Sequence, residues 1–190
     1  MSCAKPRFND FGLVVTEAIE NDFKISAKTA IYRNGPSVPI KELHKRGLIP
    51  KEASCLNFGK GKYNHDSDLI RSVSGNCSDY DYTYCRTNIL GTSFNFVVCF
   101  YVLNTLPFES RTVVWSQLRQ VTKQGGVCFI AVRSDKDRAI KGVPYEDGFR
   151  TSSGTYQIGF TEEVITNEAL QFFANVRTIK ASGYRLLECR

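Results

Sequence analysis

The sequence is poor in the residues that build metal and redox centres. Its two histidines, His44 and His65, stand alone, and its seven cysteines, at 3, 55, 77, 85, 99, 128 and 189, include no Cys-x-x-Cys pair. Zinc sites cluster Cys and His at short spacings, so no metal is expected. An odd number of cysteines, several inside apolar runs where a thiol packs as a small hydrophobe, excludes a disulfide-stapled scaffold and points to a reduced, cytoplasmic protein. Long apolar runs are also missing. The longest, Phe94 to Leu103, contains Asn95 and falls far short of the ~20 residues that span a bilayer, and the opening MSCAKPRFND lacks the apolar core of an export signal. Neither membrane nor secretion is expected. No repeat, low-complexity tract or Pro/Gly/Ser-rich linker divides the chain.

What is present is 190 residues, 42% apolar and 23% charged, the composition of one ordinary globular domain. A chain this long buries roughly two thirds of the surface it exposes when unfolded, enough for a core without staples. Twenty-five Lys and Arg against nineteen acids give a net charge of +6, which favours a polyanionic partner such as nucleic acid without identifying one.

Residues 1–35 read as an N-terminal extension, a candidate lid, and 36–190 as the domain proper. A helix is predicted from Val38 to Arg46, stopped by Gly47. Ala53 to Phe58 reads as a strand ending in Gly59-Lys60-Gly61, followed by a helix from Asp66 to Val73 and a brief segment around Asn76 to Tyr82. The clearest strand is Phe94 to Val102, apolar on both faces like a central parallel strand covered by helices. A helix over 109–122 turns at Gln124-Gly125-Gly126 into a strand over 127–132. After a polar connection, 134–154, come a helix over 162–173 and two β-rich runs, 174–180 and 184–189, spaced as a hairpin. This order predicts a doubly wound α/β sheet with helices on both faces and an antiparallel last strand, binding ligands at the carboxyl ends of its central strands.

Strand, Asn57-Phe58-Gly59-Lys60-Gly61, then helix is a glycine turn that lets backbone approach a ligand and opens onto a helix N-terminus. A GxG pair is often only a tight turn. Asp81 adds weight, because it lies about twenty residues on, at the end of the second strand, where a carboxylate accepts both hydroxyls of a ribose. Its plainer reading is a solvated loop acid in Asp79-Tyr80-Asp81.

Taken together, CLNFGKGKYNHD (55–66), DYDYTY (79–84), FNFVVCFYVLNTLP (94–107) and LRQVTKQGGVCFIAVR (118–133) resemble, in order and spacing, the class I S-adenosylmethionine-dependent methyltransferases. The resemblance covers most of 50–190. It is narrower toward small bacterial and phage-type domains, some associated with DNA phosphorothioation, that open with T-A-I-x-R…S-x-P and carry V-L-N-x-L-P. Here those residues are Thr29, Ala30, Ile31, Arg33, Ser37 and Pro39, and Val102 to Pro107.

The resemblance implies a Rossmann-like seven-stranded sheet, mostly parallel with an antiparallel C-terminal hairpin strand, and S-adenosylmethionine as cofactor with S-adenosylhomocysteine as product. It implies that Gly59, Lys60 and Gly61 turn beneath the methionine part, that Asp81 holds the ribose, and that Phe100, Tyr101 and Asn104 line the methyl-donor pocket. Asn57 stands where the family carries an acid, Asn95 where an acid opens the fourth strand, and Gln124 in place of a proline. An amide still accepts a hydrogen bond from an ammonium group but carries no charge.

The segments D/N-P-P-Y/F and Pro-Cys, used for amino and cytosine C5 methylation, are missing, and Cys99 inside its strand reads as a packed thiol. Tyr101, Asn104 and Tyr156 are the candidate catalytic residues. Gln157, Tyr32-Arg33 and His65 are further polar candidates, each equally readable as ordinary surface. Lys60, Lys62, Lys136, Arg138, Lys141 and Arg150 are placed to steer a phosphate backbone or simply to be solvated. Two functions are expected: a methyltransferase acting on nucleic acid or a nucleotide-like molecule, or a protein that keeps fold and cofactor without transferring methyl. A nicotinamide oxidoreductase shares GxG and the acid, but the terminal hairpin and VLNTLP argue against it.

Overall fold

The computed structural model describes residues 7–190, so Cys3 and the start of the extension lie outside it. Two short strands, β1 (Arg7–Phe8) and β2 (Val14–Val15), pair as an antiparallel hairpin. Helix α1 (Glu17–Ser26) begins at Thr16, whose hydroxyl accepts the Ile19 N–H at 3.3 Å, one of the donors a first helical turn leaves unpaired. Helix α2 (Val38–Lys45) has proline in its first turn and is followed by Gly47 at φ +66°.

From there strands and helices alternate. Strand β3 (Cys55–Phe58) leads to α3 (His65–Ser74), which ends at left-handed Gly75, then to β4 (Ser78–Tyr80), β5 (Phe94–Phe100), α4 (Phe108–Val121) and β6 (Thr122–Arg133). The expected Gln124–Gly126 turn lies inside β6 as an irregularity: Phe94 pairs with Thr122 but Phe96 already pairs with Val127. Strands β7 (Val143–Tyr145), β8 (Gly148–Arg150) and β9 (Tyr156–Gln157) form a separate antiparallel sheet where a polar connection was expected. Helix α5 (Glu162–Leu170) and the hairpin β10 (Val176–Ile179) and β11 (Tyr184–Cys189) close the chain.

The main sheet runs β10-β11-β6-β5-β3-β4. Strands β4, β3, β5 and β6 are parallel, and β11 lies antiparallel to β6 as predicted. It has six strands, and the implied seventh is not formed among the described residues. After β4 the chain instead closes a local turn, Asp81 and Cys85 exchanging backbone hydrogen bonds of 2.8 and 3.1 Å, and returns to β5 without pairing along β4.

Alternation along each strand sorts the core onto two faces. Val97, Cys99 and Ile130 join α4 and α1, through Trp115, Leu118, Ile19 and Phe23, on one side. Phe96, Val98 and Phe129 join α2 and α3, through Ile40, Leu43 and Ile70, on the other. Helix α1 of the extension is thus part of the main core. Among the described residues, no helix is long and apolar enough to cross a membrane.

Candidate functional site

Strand order reverses between β3 and β5, and at the carboxyl ends of those strands lies a cleft of about 160 Å³, partly open to solvent. Its floor is the glycine turn. Gly59 has φ +70°, and a Cβ there would sit 2.2 Å from Val102 Cγ2, so only glycine lets the turn slide under the segment leaving β5. The Gly59 and Lys60 N–H groups donate to the Tyr80 carbonyl at 2.7 and 3.2 Å, tying the turn to β4.

Asp81, directly after β4, reaches the same turn. Its Oδ2 accepts the Gly61 N–H at 2.9 Å, while Oδ1 accepts the Thr83 and Tyr84 N–H groups at 2.9 and 3.0 Å. The structure therefore brings together the two places the sequence reading paired. Asn57, 4% exposed at the end of β3, lines the cleft and gives its amide NH₂ to the Ser67 hydroxyl at 2.9 Å. Ser67 donates to Asp79 at 2.5 Å, and Arg71 pairs with the other Asp79 oxygen at 2.5 Å. Phe100 and Tyr101 line the far wall. Tyr101 holds a left-handed φ of +61°, an uncommon conformation for a non-glycine residue that clusters at ligand sites. Burial pushes its phenol up to about 12.

The extension forms part of the rim. Ser26 and Thr105 hydroxyls lie 2.5 Å apart, the Tyr84 hydroxyl donates to the Ala27 carbonyl at 2.9 Å, and the Ser37 N–H and hydroxyl donate to the two Asp66 oxygens, both at 2.6 Å. The Arg33 guanidinium sits 5.5 Å over the Tyr101 ring, and Tyr32 meets Tyr63 edge-on at 5.3 Å. His65 stacks on Tyr63 at the rim.

Asn104, Tyr156 and Gln157 lie outside this cleft. Asn104 is buried; its side chain accepts the Arg133 N–H at 3.3 Å and its carbonyl the Ile158 N–H at 3.0 Å, so it fastens the turn after β5 to β6 and β9. Tyr156 is buried with its hydroxyl on Asp147, and Gln157 accepts from Arg133 at 3.0 Å. The polar connection ahead of Tyr156 is folded into the β7–β9 sheet, anchored by Arg111. That fully buried guanidinium pairs with Asp147 and Glu168, the latter also accepting the Trp115 N–H at 3.0 Å.

Burial raises the Cys99 thiol far above its ordinary range, as expected of a packed thiol. Of the basic residues, Lys60 and Lys62 line the cleft, Lys136 and Arg138 border a separate depression beside Ala181–Arg185, and Arg150 stacks 4.1 Å over Tyr145. The sequence reading missed Ser67, Asp79 and Arg71 as a unit. Its signal is the i, i+4 spacing of Ser67 and Arg71, which puts both on the face of α3 turned to β4.

No family model and no curated protein matches the chain. Solved structures do. DhpI in its complex with SAH matches at TM-score 0.65 over 90% of this chain and 96% of its own, with 13% identity. The 1,6-didemethyltoxoflavin-N1-methyltransferase of Burkholderia thailandensis, holding 1,6-didemethyltoxoflavin and S-adenosylhomocysteine, matches at 0.62 over 100% of this chain and 96% of its own, with 12% identity. The fold is that of the class I methyltransferases. The glycopeptide N-methyltransferase MtfA shares it at TM-score 0.51 and 10% identity, over 83% of this chain and 96% of its own.

Proposed function

We propose that the cleft binds S-adenosylmethionine and that the protein is a methyltransferase. The observation that carries this reading is the hydrogen bond from Gly61 N–H to Asp81: glycine turn and strand-end carboxylate meet at the carboxyl edge where a methyltransferase fold changes strand order. The residues present fit the cofactor's parts. The Gly59–Gly61 turn presents bare backbone to the amino-acid portion, Asn57 offers an amide oxygen for its ammonium, and Asp81 Oδ2, which accepts one N–H, keeps a lone pair for a ribose hydroxyl. Bound, the cofactor supplies an electrophilic methyl group and its own leaving group, so the protein's task is mainly position.

In this reading Phe100 and Tyr101 wall the methyl-donor end, and Ala27 to Gly35 of the extension act as a lid held by the Ser26–Thr105, Tyr84–Ala27 and Ser37–Asp66 contacts. The acceptor enters beside Arg33 and Tyr101. Aromatic faces at Tyr32, Tyr63 and Tyr101 interleaved with Arg33, Lys60 and Lys62 favour a nucleotide-like acceptor, planar and anionic. The narrower likeness to phosphorothioation-associated domains rests on Thr29 to Pro39 and Val102 to Pro107.

Isothermal titration with S-adenosylhomocysteine, then transfer of a labelled methyl group to nucleotides, RNA, DNA and lysate, tests the proposal. Binding and a labelled nucleotide-like product are expected. Asn57 in place of the usual acid motivates the second reading, a binding protein, which cofactor binding with no labelled acceptor would favour.

A further inference from the structure

We infer that Ser67 and Asp79 act as positioning residues turning the Asn57 amide oxygen into the cleft, with the one negative charge of this cluster held on Asp79 of β4. The inference rests on the cleft's being a cofactor site.

Arg71 only donates, and the Asp79 carboxylate that it pairs with at 2.5 Å only accepts. The Ser67 hydroxyl, 0% exposed, has a single proton, and its contact with Asp79 at 2.5 Å takes it. Toward Asn57 the same oxygen can then only accept, so Asn57 must present its NH₂, as the 2.9 Å contact has it. The amide's orientation is thereby forced from outside the cleft. Its Oδ1 meets no donor among the described residues, and the residue that carries it lines the cleft, so the acceptor is left for a ligand. A cationic donor such as the cofactor's ammonium group is the matching chemistry.

The same count explains why amide rather than acid stands at 57. An aspartate there would set two carboxylates on either side of one hydroxyl with one proton to give, in a buried place where like charges repel strongly. Asn57 and Asp79 are register partners on adjacent parallel strands, so one charge serves both positions.

The experiment compares two ligands by isothermal titration of the full chain: S-adenosylhomocysteine, which carries the ammonium, and 5′-methylthioadenosine, which lacks the whole amino-acid part. Ser67→Ala is expected to weaken S-adenosylhomocysteine about tenfold, the effect of one charge-assisted hydrogen bond, and leave 5′-methylthioadenosine within twofold. N57D alone is expected to weaken S-adenosylhomocysteine, and N57D/D79N to restore it, since the pair then again holds one charge. Equal loss of both ligands in Ser67→Ala, no loss of either, or tighter S-adenosylhomocysteine binding by N57D alone would overturn the inference. If neither ligand binds the unaltered protein, it is the cofactor reading that fails.

Discussion

At the scale of single residues, Gly59 and Asp81 decide the shape of the cleft. Replacing Gly59 by alanine meets two penalties, a left-handed φ of +70° and a Cβ placed 2.2 Å from Val102 Cγ2. We expect Gly59→Ala to lower stability by about 2–5 kcal/mol in urea unfolding, from backbone strain of about 1–2 kcal/mol and overpacking of about 1–3 kcal/mol. Gly61→Ala shares the left-handed φ but would find only the Ala30 Cβ at 4.0 Å, so it should cost about 1–2 kcal/mol. Equal costs would mean the Val102 contact is not tight. Asp81→Ala should weaken S-adenosylhomocysteine by about 1–3 kcal/mol in calorimetric titration, through lost hydrogen bonds to ribose. Unchanged affinity would remove Asp81 from the site. Asp81 was legible because a strand–helix–strand crossover places two successive strand ends side by side, so a spacing of about twenty residues becomes a distance. Tyr156 was misleading because a tyrosine among polar residues looks exposed, whereas its ring is buried and its hydroxyl used by Asp147.

At the scale of elements, β7–β9 and α5 are held to α4 by Arg111, and this attachment is sensitive to acid. Burial works to raise the Asp147 carboxyl, but hydrogen bonds from Arg111 and Tyr156 outweigh it and hold the group below its ordinary value. A carboxyl lowered in the folded state contributes stability above its unfolded pKa, near ~3.9, and loses that contribution as pH falls through the lower folded value. Unfolding midpoints followed from pH 7 to pH 2 should therefore drop at the acid end, and Asp147→Asn should flatten part of that drop. At neutral pH the same substitution should cost roughly 1–2 kcal/mol, a moderate figure because Asp147 is open to solvent on one side and Glu168 still neutralises Arg111. An acid limb identical to that of the unaltered protein would show that Asp147 does not carry it. The near-continuous apolar run of β5 announced a buried central strand, yet the absence of a seventh strand was not readable. Residues 82–87 read equally well as an edge strand, and the Asp81–Cys85 pairing that diverts them is a backbone event.

At the scale of the whole molecule, the net charge of +6 does not resolve into one track. Lys60 and Lys62 face the cleft, Lys136 and Arg138 a different depression, and Arg150 a tyrosine ring. A nucleotide-like acceptor needs only the few cations at the cleft. Binding of a short single-stranded oligonucleotide should therefore change with salt by a log–log slope of about −2 or shallower, as for two or three phosphate contacts, and a slope of about −5 would instead require a continuous basic groove. What the sequence determined by itself was local: strands and helices, from their hydrophobic periods, and the glycine turn, from a backbone that side chains would block. Which polar groups hydrogen-bond in series, as Asn57, Ser67 and Asp79 do, and which are spent on holding loops, as Asn104 and Tyr156 are, only the tertiary structure decided. Hydrogen-bond partners are fixed by packing between residues far apart in the chain, and that pairing leaves no period in the sequence.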